Sequence, residues 1–102
     1  MRTPEGNEKK AVKKYLTDIG AFHRWPVPYG YGQPHVDCYA CVAGQFWAIE
    51  VKAEGENATA LQRRTLQEAE AAGAFWVCGV AVVIIDRIET WRKRKVFGGP
   101  IA

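Results

Sequence analysis

Val36-Asp37-Cys38-Tyr39-Ala40-Cys41-Val42-Ala43-Gly44-Gln45-Phe46-Trp47-Ala48-Ile49-Glu50-Val51-Lys52 is the stretch that decides the fold. Residues 36–42 and 46–52 both read as strands, and only Ala43-Gly44-Gln45 separates them. So short a connection fits an antiparallel hairpin. A two-residue loop at Ala43-Gly44 pairs Val42 with Gln45, and a four-residue loop over 42–45 keeps that register. Counting back, 41 faces 46, 39 faces 48 and 37 faces 50. A three-residue loop would slip the register by one and set Asp37 opposite Val51. Ala43 is not an ideal residue for the primed turns, so the loop type stays open here. Val36, Cys38, Ala40 and Val42, with Trp47, Ile49 and Val51, are the expected core face.

The opposite face carries the chemistry. Glu50 and Lys52 leave the same side of their strand because the side-chain period is two. In the paired register Asp37 joins them, with the Asp37 and Glu50 Cβ atoms roughly 4.5–5.5 Å apart. Two facing carboxylates repel, so the pair calls for a cation. Carboxylates hold a hard divalent metal through oxygen. Such an ion polarises a phosphate and acidifies a bound water, and a lysine alongside can orient that water or offset charge in the transition state. The bland alternative is a solvated strand with ordinary surface charge.

Outward from the hairpin, Thr3-Pro4 is a helix start and Gly20 a stop. Val12, Tyr15, Leu16 and Ile19 form its apolar stripe. Extended backwards, that stripe lands on Glu8 and Glu5. An acid on a core stripe needs a partner or a metal, although charge at a helix N-terminus would also account for Glu5. Lys9, Lys10, Lys13 and Lys14 take the other sides, either solvated or in contact with phosphate. A short strand is expected near residues 21–25. A Pro- and Gly-punctuated loop over 24–35 follows, with Arg24, Tyr29 and Tyr31 beside the acids, where aromatics can stack on splayed bases or pack onto the core.

Beyond the hairpin, Thr59-x-x-Gln62 is a capping box opening a helix that runs to about Ala72, with Gly73 as its stop. A first-turn glutamine can also reach a metal-bound water or a phosphate, and Arg63 and Arg64 sit beside it. Residues 74–80 read as a buried strand. The apolar residues up to Ile85 either prolong it or begin another element, and Asp86 is the expected cap of a short basic helix carrying Ile88 and Trp91.

The 102 residues make one small domain, 48% hydrophobic, with a net charge of +3. The basic residues cluster at 9–14, 63–64 and 92–95, which suits a polyanionic partner. No secretory leader is legible and no apolar run is long enough for a membrane, so a cytoplasmic protein is expected. Three cysteines argue against a disulfide scaffold. Cys38-x-x-Cys41 invites a zinc reading with His35, His23 or Cys78. Residues three apart in a strand point to opposite faces, however, so small buried hydrophobes are the better reading.

Thr3-Pro4-Glu5-Gly6, Pro26-Val27, Gly30-Tyr31-Gly32-Gln33-Pro34, Val36-Asp37, Ile49-Glu50-Val51-Lys52-Ala53 and Gln62, in that order, resemble the VRR-NUC branch of the PD-(D/E)XK nuclease superfamily. The likeness is to its compact stand-alone phage and bacterial members. Two departures are Val36 in place of a proline before Asp37 and the acidic loop 54–57. The resemblance implies an α/β, restriction-endonuclease-like mixed β-sheet flanked by helices, in the order α-β-β-β-α-β, then a short C-terminal helix. It implies Asp37, Glu50 and the Val51 carbonyl as metal ligands, Lys52 as the catalytic lysine, Glu5 (with Glu8 as the fallback) as the N-terminal acid, and Gln62 as the helix glutamine. Mg²⁺ or Mn²⁺ is the implied cofactor. DNA contacts are expected from Lys9, Lys13, Lys14, Arg24, Tyr29, Tyr31, Arg63 and Arg64. The implied activity is a structure-specific DNA endonuclease of Holliday-junction-resolvase type, acting on branched DNA as a homodimer in a bacterial or phage-infected cell. The alternative is a non-catalytic nucleic-acid-binding module on the same fold.

Overall fold

The computed structural model describes residues 3–27 and 35–97. Seven elements follow in order: α1 (Pro4–Asp18), β1 (Phe22–Arg24), β2 (Cys38–Val42), β3 (Gln45–Val51), α2 (Ala60–Ala71), β4 (Phe75–Gly79) and α3 (Ala81–Phe97). The strands form one mixed sheet in the order β1-β2-β3-β4. The first three are antiparallel, and β4 returns parallel to β3 through the α2 crossover.

The hairpin has the two-residue loop. Val42 pairs with Gln45 and Cys38 with Ile49. Ala43 and Gly44 have φ of 48° and 85°, so both central residues are left-handed, as a type I′ turn requires. Thr3 caps α1 by accepting from the Gly6 N–H at 3.0 Å, and Pro4 follows it at the first helical position.

Both faces of the sheet are covered, as expected of a sheet flanked by helices. On one face α1 and α3 bury Val12, Leu16, Cys38, Ile49, Val51, Ile84 and Ile88. On the other, α2 brings Leu66 against Ala48, with Trp76 and Cys78 alongside. Residues 47–51 are therefore buried without interruption, the pattern of a strand packed on both sides. Val36 was expected beside Cys38 and Ala40, yet it packs with Ala48 and Leu66. The chain bends at Asp37 and regular pairing begins only at Cys38, so strict alternation fails one residue before the strand. Cys38 is buried and Cys41 exposed, on opposite faces. Burial above all pushes the Cys38 thiol up to about 12.

The C-terminal helix departs most from expectation. It is 17 residues long and starts at Ala81, so Asp86 lies inside it as an exposed residue rather than at its cap. The apolar run after β4 is only partly core, since Val82 and Val83 face solvent. β-Branched residues disfavour a helix by roughly 0.7 kcal/mol at most each. Burying Ile84 and Ile88 completely, one turn apart on one face, returns roughly 1.5–3 kcal/mol each, so packing wins. The cap comes from elsewhere. Glu8 of α1 accepts from the Ala81 N–H at 2.8 Å, which places a carboxylate at the positive end of α3. Tyr15 adds a second tie between the two helices by donating to Glu89 at 2.6 Å.

Candidate active site

The acid pair forms where the hairpin ladder ends. Beyond the Cys38–Ile49 pair the Asp37 side chain continues the ladder, its Oδ2 accepting from the Val51 N–H at 2.9 Å. That bond holds Asp37 against Glu50, which leaves β3 on the α2 side. Glu50 is 3% exposed and Lys52 8%. Such burial is incompatible with a solvated charged face.

Burial first, then the closeness and charge of the Asp37 carboxylate, push the Glu50 carboxyl up to about 8; Lys52 and Lys9 work in the other direction. One Glu50 oxygen, Oε2, is buried without any hydrogen-bond partner. The other, Oε1, accepts from Gln62 Nε2 at 3.2 Å. Gln62 also completes the Thr59 capping box, its Oε1 accepting from the Thr59 N–H at 2.9 Å. The glutamine therefore caps α2 and touches the acid pair at once, and the geometry of the cap delivers its amide to Glu50. Lys52 is anchored by its backbone N–H, which donates to the Gly79 carbonyl at 2.8 Å.

Glu5 reaches this group through Lys9. Lys9 Nζ lies 3.2 Å from Glu5 Oε2 and 3.4 Å from Asp37 Oδ1. Burial opposes the Lys9 ammonium, but Asp37 and Glu5 together outweigh it and raise its pKa. Lys9, expected on a lysine face, thus stands between two carboxylates. The Glu5–Lys9 spacing of four residues was the signal in the sequence for this pair. Glu8 is occupied as the cap of α3. Among the described residues no three His, Cys, Asp or Glu side chains converge into a cluster, so the acids at the site are a pair with Glu5 outside it.

The other expected contacts are dispersed. Lys13 lies over the Trp25 ring at 5.0 Å, and Lys14 pairs with Asp18 at 2.7 Å. Arg24 lies over the Phe22 ring at 4.2 Å. Arg63 donates to the Ala58 carbonyl at 2.7 Å, and Arg64 is exposed on α2. Tyr29 and Tyr31 lie outside the described residues.

A hard divalent cation suits this donor set. Only oxygens converge from Asp37 and Glu50, one of them is orphaned in the interior, and the pair's mutual repulsion goes unrelieved except by lysines. Among the described residues no cysteine or histidine joins the two acids in a cluster.

No protein-family model matches the chain, and no curated protein matches it. Among solved structures the chain is similar to one titled "VRR_NUC domain", with a TM-score of 0.73 at 22% identity, over 87% of this chain and 97% of that one. The architecture expected from the hairpin and its flanking helices is therefore that of a known domain, matched over nearly its full length.

Proposed function

We propose that the chain is a divalent-metal-dependent DNA endonuclease of the VRR-NUC type. The observation that carries this reading is the buried, partnerless Glu50 oxygen beside Asp37. A stable fold has no use for two crowded acids in its interior unless something positive joins them. A module that merely binds nucleic acid gains nothing from carboxylates that repel phosphate.

Asp37, Glu50 and the Val51 carbonyl would hold Mg²⁺ or Mn²⁺. When bound, the ion supplies charge to the scissile phosphate and acidifies a water. Lys52, close enough to favour the ionised form of Glu50, would orient that water or offset negative charge on the phosphoryl oxygens of the transition state. Gln62 steadies Glu50. Glu5 acts on Asp37 through Lys9. Lys13, Lys14, Arg24, Arg63 and Arg64 supply diffuse attraction for the DNA backbone.

The preferred substrate in this reading is a four-way junction cut by a homodimer. One chain offers one acid pair, whereas a junction needs two symmetric cuts, and a two-fold dimer supplies them. The test is incubation of the protein with labelled duplex, flap and four-way junction DNA in Mg²⁺, Mn²⁺ or EDTA, alongside Asp37→Asn, Glu50→Gln and Lys52→Ala. Metal-dependent cleavage by the wild type, lost in all three variants, is the expected outcome. Near-normal cutting by any variant removes the role assigned to that residue. Light scattering at about twice the chain mass and paired nicks at symmetric junction positions are expected. A monomer that cuts flaps as fast as junctions would leave a nuclease but not a resolvase.

A further inference from the structure

Of the five basic residues of α3, two are paired, and of the other three Lys93 lines neither of the two clefts that adjoin β4. Arg92 pairs with Glu89, and Lys95 donates to the Ala43 carbonyl. Arg87 and Arg94 form neither an ion pair nor a side-chain hydrogen bond with any described residue. Seven positions apart, they lie on one face of the helix, about 10 Å from each other along its axis. Trp91 stands between them.

Both arginines line a cleft of about 380 Å³, together with Phe75, Trp76 and Glu70. Trp47, whose buried indole N–H has no partner, forms part of the wall. A second cleft of about 390 Å³ shares Glu70, Trp76 and Arg87 and continues to Cys78. Cys78 is the ladder partner of Glu50. The two clefts adjoin along the end strand β4, between α2 and α3, and form a groove whose far end is Cys78, one strand away from Glu50. Trp76 and Cys78 are two residues apart on the same sheet face, roughly 7 Å along the strand.

The groove is prepared for something flat and anionic. The Trp76 indole N–H donates to Glu70 Oε2 at 2.9 Å, which fixes the ring and engages the one acid in the lining. Phe75 is 39% exposed, and Trp91 packs edge-on against it at 6.0 Å. Rigid aromatic surfaces flanked by two uncommitted guanidiniums match unpaired bases and the phosphates that join them. Duplex DNA hides its base faces, and a peptide strand on the β4 edge has no need of two guanidiniums.

We propose that this groove binds a single-stranded segment of the nucleic acid, with bases on Trp76 and Phe75 and phosphates on Arg87 and Arg94, leading away from the acid pair. The proposal rests on the reading of the chain as a nuclease and not on the junction preference, and its test does not require cleavage. A fluorescent dT₁₀ oligonucleotide, a blunt duplex, and the same duplex with a ten-nucleotide single-stranded tail are titrated against the protein in EDTA. The wild type should bind the tailed duplex at least tenfold more tightly than the blunt one. Arg87→Ala/Arg94→Ala should erase that preference and leave blunt-duplex affinity unchanged. It should also reduce the salt slope for dT₁₀ by about 1.4, the value for two single-strand phosphates. Trp76→Ala should weaken dT₁₀ roughly tenfold with little change in slope.

Equal binding of tailed and blunt duplex by the wild type, or an unchanged slope in the double arginine variant, would overturn the proposal. So would dTMP binding as tightly as dT₁₀, which would assign the groove to a free nucleotide. A double variant that turns from dimer to monomer in light scattering while keeping its dT₁₀ affinity would hand the groove to a second copy of the chain. If Asp37→Asn abolishes cleavage while the tail preference is absent, the groove assignment fails and the nuclease stands. Tail binding that depends on the arginines, with no cleavage in any metal, gives the converse.

Discussion

Glu50 pays for its position in stability, and the sign is readable from its pKa. Its carboxyl sits near 8 in the fold against an ordinary value of 4.5. Below the ordinary value both folded and unfolded chains hold the proton, so there is no penalty. Between the two values the unfolded chain has released the proton and the folded chain keeps it, so stability falls as pH rises through that window and then levels off. Glu50→Gln keeps an acceptor for Gln62 and cannot ionise. It should match the wild type near pH 4 and exceed it by on the order of a few kcal/mol near pH 8 without metal, measured by urea unfolding across the range. Addition of Mn²⁺ should cancel the advantage, because a ligand at a hundred times its Kd stabilises the wild type by about 2.7 kcal/mol. A flat pH profile for both proteins would mean that Glu50 is ionised and compensated in the apo state. Asp37 behaves differently because it also serves the backbone. Asp37→Asn retains an oxygen for the Val51 N–H. Asp37→Ala orphans that N–H and should cost roughly 1–3 kcal/mol, so the difference between the two variants in unfolding measures the bond. At this scale the sequence was legible through the period of two and the short loop, which set Asp37 against Glu50. Lys9 between Glu5 and Asp37 was less so, since four lysines on one helix read alike until each finds its own partner.

Among the elements, the hairpin turn carries a fault that can be repaired. Ala43 has φ of 48°, a left-handed conformation that costs an ordinary residue about 1–2 kcal/mol. Ala43→Asn or Ala43→Gly should raise thermal stability by up to about 1 kcal/mol, seen as a higher Tm, with the acid pair unmoved. A lower Tm would mean that the turn is not of the I′ type. Helix α3 shows the limit of reading elements locally. Its first turn holds no capping side chain of its own, because the cap is Glu8, 73 residues away in the chain. No local pattern could have announced that, so the nearest acid downstream, Asp86, stood out as a false start. Glu8→Ala should cost roughly 0.5–2 kcal/mol and Glu8→Gln much less. Metal-saturated cleavage per folded molecule should be unchanged by Glu8→Gln, whereas loss of that activity would return Glu8 to the site.

At the scale of the whole molecule, the helices on both faces turn the sheet into a middle layer and seal the acid pair under α2. The apolar run Phe46-Trp47-Ala48-Ile49, which does not alternate, was the available sign of a strand buried on both sides. It was masked because Glu50 and Lys52 resemble the polar half of an alternating strand, and only the position of α2 shows that they too are covered. The order of elements was legible in the helix and strand signals, whereas the parallel pairing of β4 with β3 is read from the structure. Among the described residues no helix is long and apolar enough to cross a membrane.

The Glu8–Ala81 bond has a further consequence in time. It joins the first helix to the last, so neither helix can shed its protection without disturbing the other. The Ala81 amide and the core amides of α1 should then exchange with deuterium at a shared opening free energy, as one cooperative unit. The β2–β3 hairpin, closed by two residues, needs no such distant agreement, and its amides should acquire protection earlier in refolding. Pulse-labelled exchange would find the acid pair assembled on a hairpin before its enclosing layers lock, and simultaneous protection everywhere would rule that order out.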